Sequence, residues 1–145
     1  MDREILFRGK RLDNGEWVYG YLIRHPSAAQ IGDDCSPWYI SVPPKDPDDL
    51  GGVYNVDPST VGQYTGLTDR NGKRIFEGDI VEAGDYTAED GYGEIIWDGD
   101  DAKYAILGCN GNTLMTDFEA YYGHELEVIG NIYDNPELLG GAENA

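Results

Sequence analysis

Three carboxylate residues in the middle of the chain are the first candidates for chemistry. Asp69, Glu77 and Asp79 lie close together in the sequence, and grouped carboxylates can bind a metal ion or transfer protons. The pair Asn71-Gly72 between them is typical of a tight turn, in which an aspartate accepts hydrogen bonds from nearby backbone N–H groups. Two interpretations are open, a reactive cluster and a structural turn. We favour the turn, because turn chemistry explains the residue types.

The other combinations of reactive residues are weaker. Asp98-Gly99-Asp100-Asp101 lacks the alternating oxygen ligands and the bidentate glutamate of a calcium loop, so we interpret it as the acidic tip of a hairpin. His25 and His124 lie in polar segments without a nucleophile motif. The cysteines and histidines have no zinc-binding spacing, and the sequence has no phosphate-binding glycine motif. We expect no catalytic residue, no metal and no cofactor, and therefore a protein that is not an enzyme.

Charge is divided unevenly along the 145 residues, which carry 10 basic and 28 acidic side chains and a net charge of −18. Residues 1–74 hold 9 basic and 11 acidic side chains, whereas residues 75–145 hold 1 and 17. Direct binding to nucleic acid is not expected, because lysine and arginine must neutralise the phosphates. The surplus carboxylates can keep the protein soluble or attract a basic partner, and both interpretations stay open.

The favoured functional hypothesis is a non-enzymatic protein that binds a basic surface of another protein, for example of one that handles nucleic acid. Its carboxylates would take the positions of phosphates, and aromatic side chains would anchor the contact. The predicted partner-binding residues are Glu89, Asp90, Tyr92, Glu94, Trp97, Asp98, Asp100, Asp101 and Tyr104. The alternatives are a homo-oligomeric structural or accessory protein, whose aromatics form core and subunit contacts, and a small-ligand binder.

Short apolar and aromatic runs between turn sequences predict a mainly β protein, with a small antiparallel barrel or sheet body and one or two short helices. Asn14-Gly15 predicts a hairpin, and Pro43–Gly52 predicts a loop or linker. We therefore divide the chain into an N-terminal β-hairpin region, residues 1–52, and an acidic β-barrel region, residues 53–145. One continuous domain is the alternative.

Further elements are predicted from local signals. Asp57-Pro58-Ser59-Thr60 predicts a turn or a short helical turn that ends at Gln63. Short helical segments are predicted at Phe118–Tyr122 and after Asn135-Pro136. Four strands are predicted in the acidic region, at Gly93–Trp97, Lys103–Leu107, Thr113–Thr116 and Leu126–Tyr133. Several of them carry apolar residues on both sides, which favours a homo-oligomer.

No apolar run reaches the roughly 18–20 residues of a membrane-spanning helix, and MDREILFRGKR has no signal-peptide core. The two widely separated cysteines, Cys35 and Cys109, fit a reducing compartment. We expect a cytoplasmic protein without membrane contact.

Three segments resemble one family. Arg3–Gly9, Val56–Val81 and Val128–Leu139 are similar to the opening, the central block and the ending of the YopX family of phage and prophage proteins. The resemblance implies a mostly β, self-associating protein with a small SH3-like barrel in its C-terminal part, located in the bacterial host cell. It supplies no catalytic residues. With the phage origin that the resemblance implies, the predicted basic partner is a host protein, and the chain would be an inhibitor of a nucleic-acid-handling or defence protein. Arg24–Val53 and Ala83–Gly123 follow no pattern of this family.

Overall fold

The fold is built from short antiparallel strands. The computed structural model describes residues 4–25, 36–82, 92–100, 102–108, 113–115 and 126–139. Within these ranges the chain forms a 3-10 helix at Pro136–Leu139 and ten strands: β1 (Phe7–Arg11), β2 (Trp17–Arg24), β3 (Trp38–Val42), β4 (Gly52–Thr68), β5 (Arg74–Phe76), β6 (Asp79–Glu82), β7 (Gly93–Asp98), β8 (Lys103–Gly108), β9 (Thr113–Met115) and β10 (Glu127–Asn131).

The chain divides into two compact units, Met1–Tyr64 and Thr65–Ala145. The division lies within the long strand β4, and not at the predicted boundary after Gly52. The first part of β4 belongs to the N-terminal unit because it pairs with both β1 and β3. The proline-rich segment before Gly52 is the loop of the β3–β4 hairpin.

In the N-terminal unit the strands form a closed ring. β1 pairs with β2, β2 with β3, β3 with β4, and β4 returns to β1, all in antiparallel pairs. Closure gives each of these strands two strand neighbours, which removes the exposed edges of an open sheet. Ile40 and Val56 are fully buried, so the inward side of the ring is the core of this unit.

In the C-terminal unit five of the described strands form a sheet with the open order β10-β6-β7-β8-β9, whereas β5 pairs with β4. One core cluster contains Ile75, Val81, Ile95, Tyr104, Ile106 and Leu126. Ile95 and Ile106 are paired across β7 and β8, and paired residues in neighbouring strands point to the same face. The apolar residues of the two strands therefore meet in this core.

The structure confirms the mainly antiparallel β prediction, and most strands lie within a few residues of their predicted bounds. Of the two alternatives predicted for 57–63, the helical turn is wrong, because the segment lies within β4. The register against β1 shifts between the Lys10–Asp57 and Arg8–Gly62 pairs, and Oδ1 of Asp57 accepts the N–H of Ser59 at 3.0 Å, a local contact of the kind expected for the turn. The predicted terminal turn of helix is present at Pro136–Leu139. The helix predicted at Phe118–Tyr122 lies outside the described residues.

Candidate contact surface on the acidic hairpin

The β7–β8 hairpin carries the described part of the predicted partner-binding residues. Six residue pairs join its two strands, ending with Asp98 opposite Lys103. The turn beyond this pair is held locally, because the backbone N–H of Asp100 donates to Oδ1 of Asp98 at 3.0 Å. Ala102 has a φ of 55°, a left-handed conformation typical of turns, and β8 begins at the next residue. The acidic sequence is therefore a hairpin tip, as predicted.

One face of this hairpin places two aromatic residues side by side. Trp97 and Tyr104 are directly opposite each other, with ring centroids 5.1 Å apart and the planes at 71°, an edge-to-face contact. Tyr104 is 8% exposed and belongs to the core, whereas Trp97 is 50% exposed. Edge-to-face packing favours a defined ring orientation. Trp97 is therefore an exposed aromatic side chain that rests on a core residue.

The other face of β7 carries the carboxylates. Glu94 and Asp98 are four positions apart and therefore lie on the same side of β7, whereas Trp97 is three positions from Glu94 and points to the opposite side. Glu94 pairs with Leu107 of β8 and is half-buried, and this burial raises the pKa of its carboxyl group. The predicted residues therefore do not form a single face of the hairpin.

The predicted set divides accordingly. Glu89, Asp90 and Asp101 lie outside the described residues, and Tyr92 precedes β7 with a partly buried side chain. Tyr104 packs in the core and presents little surface to a partner. Trp97, Asp98 and Asp100 all lie at the free end of the hairpin, with Trp97 and Asp98 on opposite faces, and we call these three residues the hairpin tip.

The central carboxylates have structural partners. The backbone N–H groups of Asn71 and Lys73 donate to Oδ1 of Asp69 at 2.8 and 2.9 Å. Asp79 is 1% exposed, and its Oδ2 accepts the N–H of Phe76 at 2.8 Å. These contacts support the turn interpretation. Among the described residues, no three histidine, cysteine, aspartate or glutamate side chains are grouped as metal ligands.

The family assignment comes from comparison with known proteins. The sequence model of the YopX protein family matches residues 6–140. The chain belongs to the YopX family. A crystal structure of protein EF1440 from Enterococcus faecalis is similar to this YopX-family chain with a TM-score of 0.51 and 24% identity, covering 95% of this chain and 99% of that one. This similarity supports the fold. No curated protein matches the chain.

The YopX-family chain also has cation–aromatic contacts that the sequence analysis missed. In the N-terminal unit the guanidinium carbon of Arg8 lies 4.6 Å from the Trp17 ring centre, and that of Arg11 lies 4.4 Å from Tyr54. Arg8 and Trp17 are on neighbouring strands, so the β1–β2 register brings them together. The Asn14-Gly15 hairpin was a usable signal, since counting back from its turn predicts which residues face each other.

Within the described residues, no helix has the length and hydropathy needed to cross a membrane.

Proposed function

We propose that this YopX-family chain is a phage-encoded, non-enzymatic interaction protein whose C-terminal unit binds a basic surface of a host protein. The observation that carries the proposal is Trp97, which is half-exposed and packs edge-to-face on Tyr104 at the end of the hairpin whose turn carries Asp98 and Asp100. Exposed tryptophan held by a rigid neighbour is a frequent anchor in protein interfaces. The phage origin follows from the family resemblance described above.

Charge supports a basic partner. The C-terminal unit, residues 65–145, has 4 basic and 18 acidic side chains. A potential of one sign accelerates the approach of an oppositely charged protein and weakens as salt screens it. Asp98 and Asp100 would pair with lysine or arginine side chains that otherwise contact phosphates, while Trp97 would supply apolar contact. A host protein that handles nucleic acid offers such a surface.

The experiment is affinity capture from a bacterial host lysate at low and at high salt. Wild-type protein is compared with D98N/D100N, in which each asparagine keeps a side-chain oxygen as acceptor, and with W97A. The matched control is E82Q/E137Q, which removes the same charge from exposed positions of the same unit.

We expect one basic host protein to be captured by the wild type and the control, with at least fivefold less recovered by each tip variant. Recovery should fall as the salt concentration rises. Equal recovery by D98N/D100N and the control would contradict the proposal, as would the absence of any salt-sensitive basic protein.

A further inference from the structure

We propose that the turn at Asn71-Gly72 is a site of spontaneous deamidation, at which water converts Asn71 to aspartate and isoaspartate and thereby weakens the C-terminal unit. This site is separate from the hairpin tip and does not depend on the function proposed above. The support comes from two turns with the same central pair, Asn14-Gly15 and Asn71-Gly72. A third pair, Asn110-Gly111, lies outside the described residues.

The reaction needs the asparagine, the next backbone nitrogen and water. The nitrogen of Gly72 bonds to Cγ of Asn71 and gives its proton to the solvent, and the side-chain nitrogen takes up a proton and leaves as ammonia. The product is a cyclic imide. Water opens this ring at Cγ to give aspartate, or at the backbone carbonyl carbon to give isoaspartate. In isoaspartate the main chain runs through Cβ and Cγ and is longer by one atom.

The backbones of the two turns are closely similar. Gly15 and Gly72 have φ values of 74° and 82°, and a Cβ added to either glycine would have nothing within 4 Å. Both N–H groups donate to backbone carbonyls, that of Gly15 to Arg11 at 2.9 Å and that of Gly72 to Asp69 at 3.0 Å. Both pairs are exposed. Space, access of water and engagement of the attacking nitrogen therefore do not distinguish the two sites.

The asparagine side chains differ between the turns. Oδ1 of Asn14 accepts the N–H of Glu16 at 2.9 Å, and this hydrogen bond holds the amide group that must move for the ring to close. Within the described residues no hydrogen bond holds the amide group of Asn71, although its backbone N–H donates to Oδ1 of Asp69 at 2.8 Å. Asn71 can therefore turn its Cγ onto the nitrogen of Gly72 without breaking a side-chain contact.

The charges around the two turns also differ. Over four positions on either side, Asn14 has two cationic and two anionic neighbours, whereas Asn71 has three cationic and one anionic neighbour. One of the three cations, Arg70, forms an ion pair with Glu127, and an excess of one positive charge remains. Loss of the amide proton and ring closure create negative charge at the turn, which nearby cations stabilise. The charges therefore favour reaction at Asn71.

Deamidation at this turn affects the last strand, β10. Oδ1 of Asp69 accepts the N–H groups of Asn71 and Lys73, and Oδ2 accepts that of Val128. The N–H of Asp69 donates to the carbonyl of Lys73 at 2.7 Å. Isoaspartate adds one main-chain atom inside this turn and shifts donors whose distances and angles the hydrogen bonds require. The turn then no longer holds Val128 in place.

The test ages the folded full chain in mildly alkaline buffer. Peptide mapping by mass spectrometry measures the exchange of NH₂ for OH at each asparagine separately, and chromatography separates aspartate from isoaspartate. The chain unfolded in urea with added salt is aged in parallel. N71S cannot form the imide ring, and N14S is the matched control at the other turn. Urea unfolding compares fresh and aged samples of each protein.

We expect Asn71 to convert about fivefold faster than Asn14 in the folded chain, which is the rate ratio given by one hydrogen bond of ordinary net strength. In the unfolded chain the two rates should be similar. Aged wild type and aged N14S should unfold at a lower urea concentration than fresh protein, whereas aged N71S should not. Conversion at Asn14 as fast as at Asn71 in the folded chain overturns the proposal. An equal loss of stability in aged N71S overturns it too.

Discussion

The carboxylate of Asp69 accepts the backbone N–H of Val128 at 2.9 Å through Oδ2. This hydrogen bond joins the Asn71-Gly72 turn to β10, at the other end of the C-terminal unit's sequence. Arg70 reinforces the connection, because its N–H donates to the carbonyl of Leu126 at 2.8 Å and its guanidinium forms an ion pair with Glu127. The central block thus holds the last strand in place.

Replacing Asp69 with asparagine should destabilise the protein by about 2 kcal/mol, the scale expected when a charged hydrogen-bond acceptor is lost. Asparagine keeps one acceptor oxygen for the turn, but its NH₂ group cannot accept the N–H of Val128. The free energy of unfolding is measured in urea. D100N, at an exposed position of the same unit, should change it by only a few tenths of a kcal/mol. An equal loss in both variants would contradict this role of Asp69.

The contribution of Asp69 to the free energy of unfolding should also depend on pH. Burial raises the pKa of its carboxyl group, but the N–H groups of Val128, Lys73 and Asn71 together outweigh burial, so the pKa lies below its ordinary value of 3.8. A lowered pKa in the folded state stabilises the protein above pH 3.8, and this stabilisation is lost as the pH falls through the folded-state pKa. The difference in the free energy of unfolding between wild type and D69N should therefore be largest at neutral pH and shrink below pH 3.8. Unfolding curves from pH 7 to pH 3 measure it, and a difference that grows on acidification would refute the assignment.

Glu94 should show the opposite dependence. Its half-buried position raises the pKa of the carboxyl group above the ordinary 4.5, because burial disfavours the charged form. The charge is therefore a cost to the folded state at neutral pH, and this cost disappears as the pH falls through the raised pKa toward 4.5. E94Q should be more stable than wild type at pH 7 and equal to it below pH 4.5. Thermal melting at several pH values tests this, with E82Q as the exposed control. A less stable E94Q at pH 7 would contradict it.

Gly78 should tolerate alanine less well than Gly72. Both have a positive φ, 86° and 82°, a conformation that costs other residues about 1–2 kcal/mol. A Cβ at Gly78 would lie 3.1 Å from Cε2 of Tyr133, whereas nothing lies within 4 Å of one at Gly72. We expect G72A to lose about 1 kcal/mol and G78A roughly 2–3 kcal/mol, since a forced contact adds to the backbone cost. Urea unfolding compares the two. Equal losses would show that the Tyr133 contact adds no measurable cost.

Part of the candidate site was predictable from the sequence. The predicted partner-binding residues included Glu94 and Trp97 together, although their spacing places them on different faces. Glu94 and Trp97 are three positions apart, so the two-residue repeat of a strand alone places them on opposite faces. The burial of Tyr104 was not predictable in this way. It depends on the pairing with Trp97 and on the core cluster behind it.

The local features of this protein are specified by residues that are close together in the chain. Asn14-Gly15 and Asn71-Gly72 specify turns because glycine readily adopts a positive φ, and apolar runs between turns specify strands. Which strands pair with one another is visible only in the folded chain. β4 pairs with β1 on both sides of a segment for which a turn or a helical turn was predicted, and Val128 is brought to Asp69. Turn preferences depend on a few neighbouring residues. Strand pairing depends on hydrogen bonds and packing between segments that are distant in the sequence, so no single segment specifies its partner.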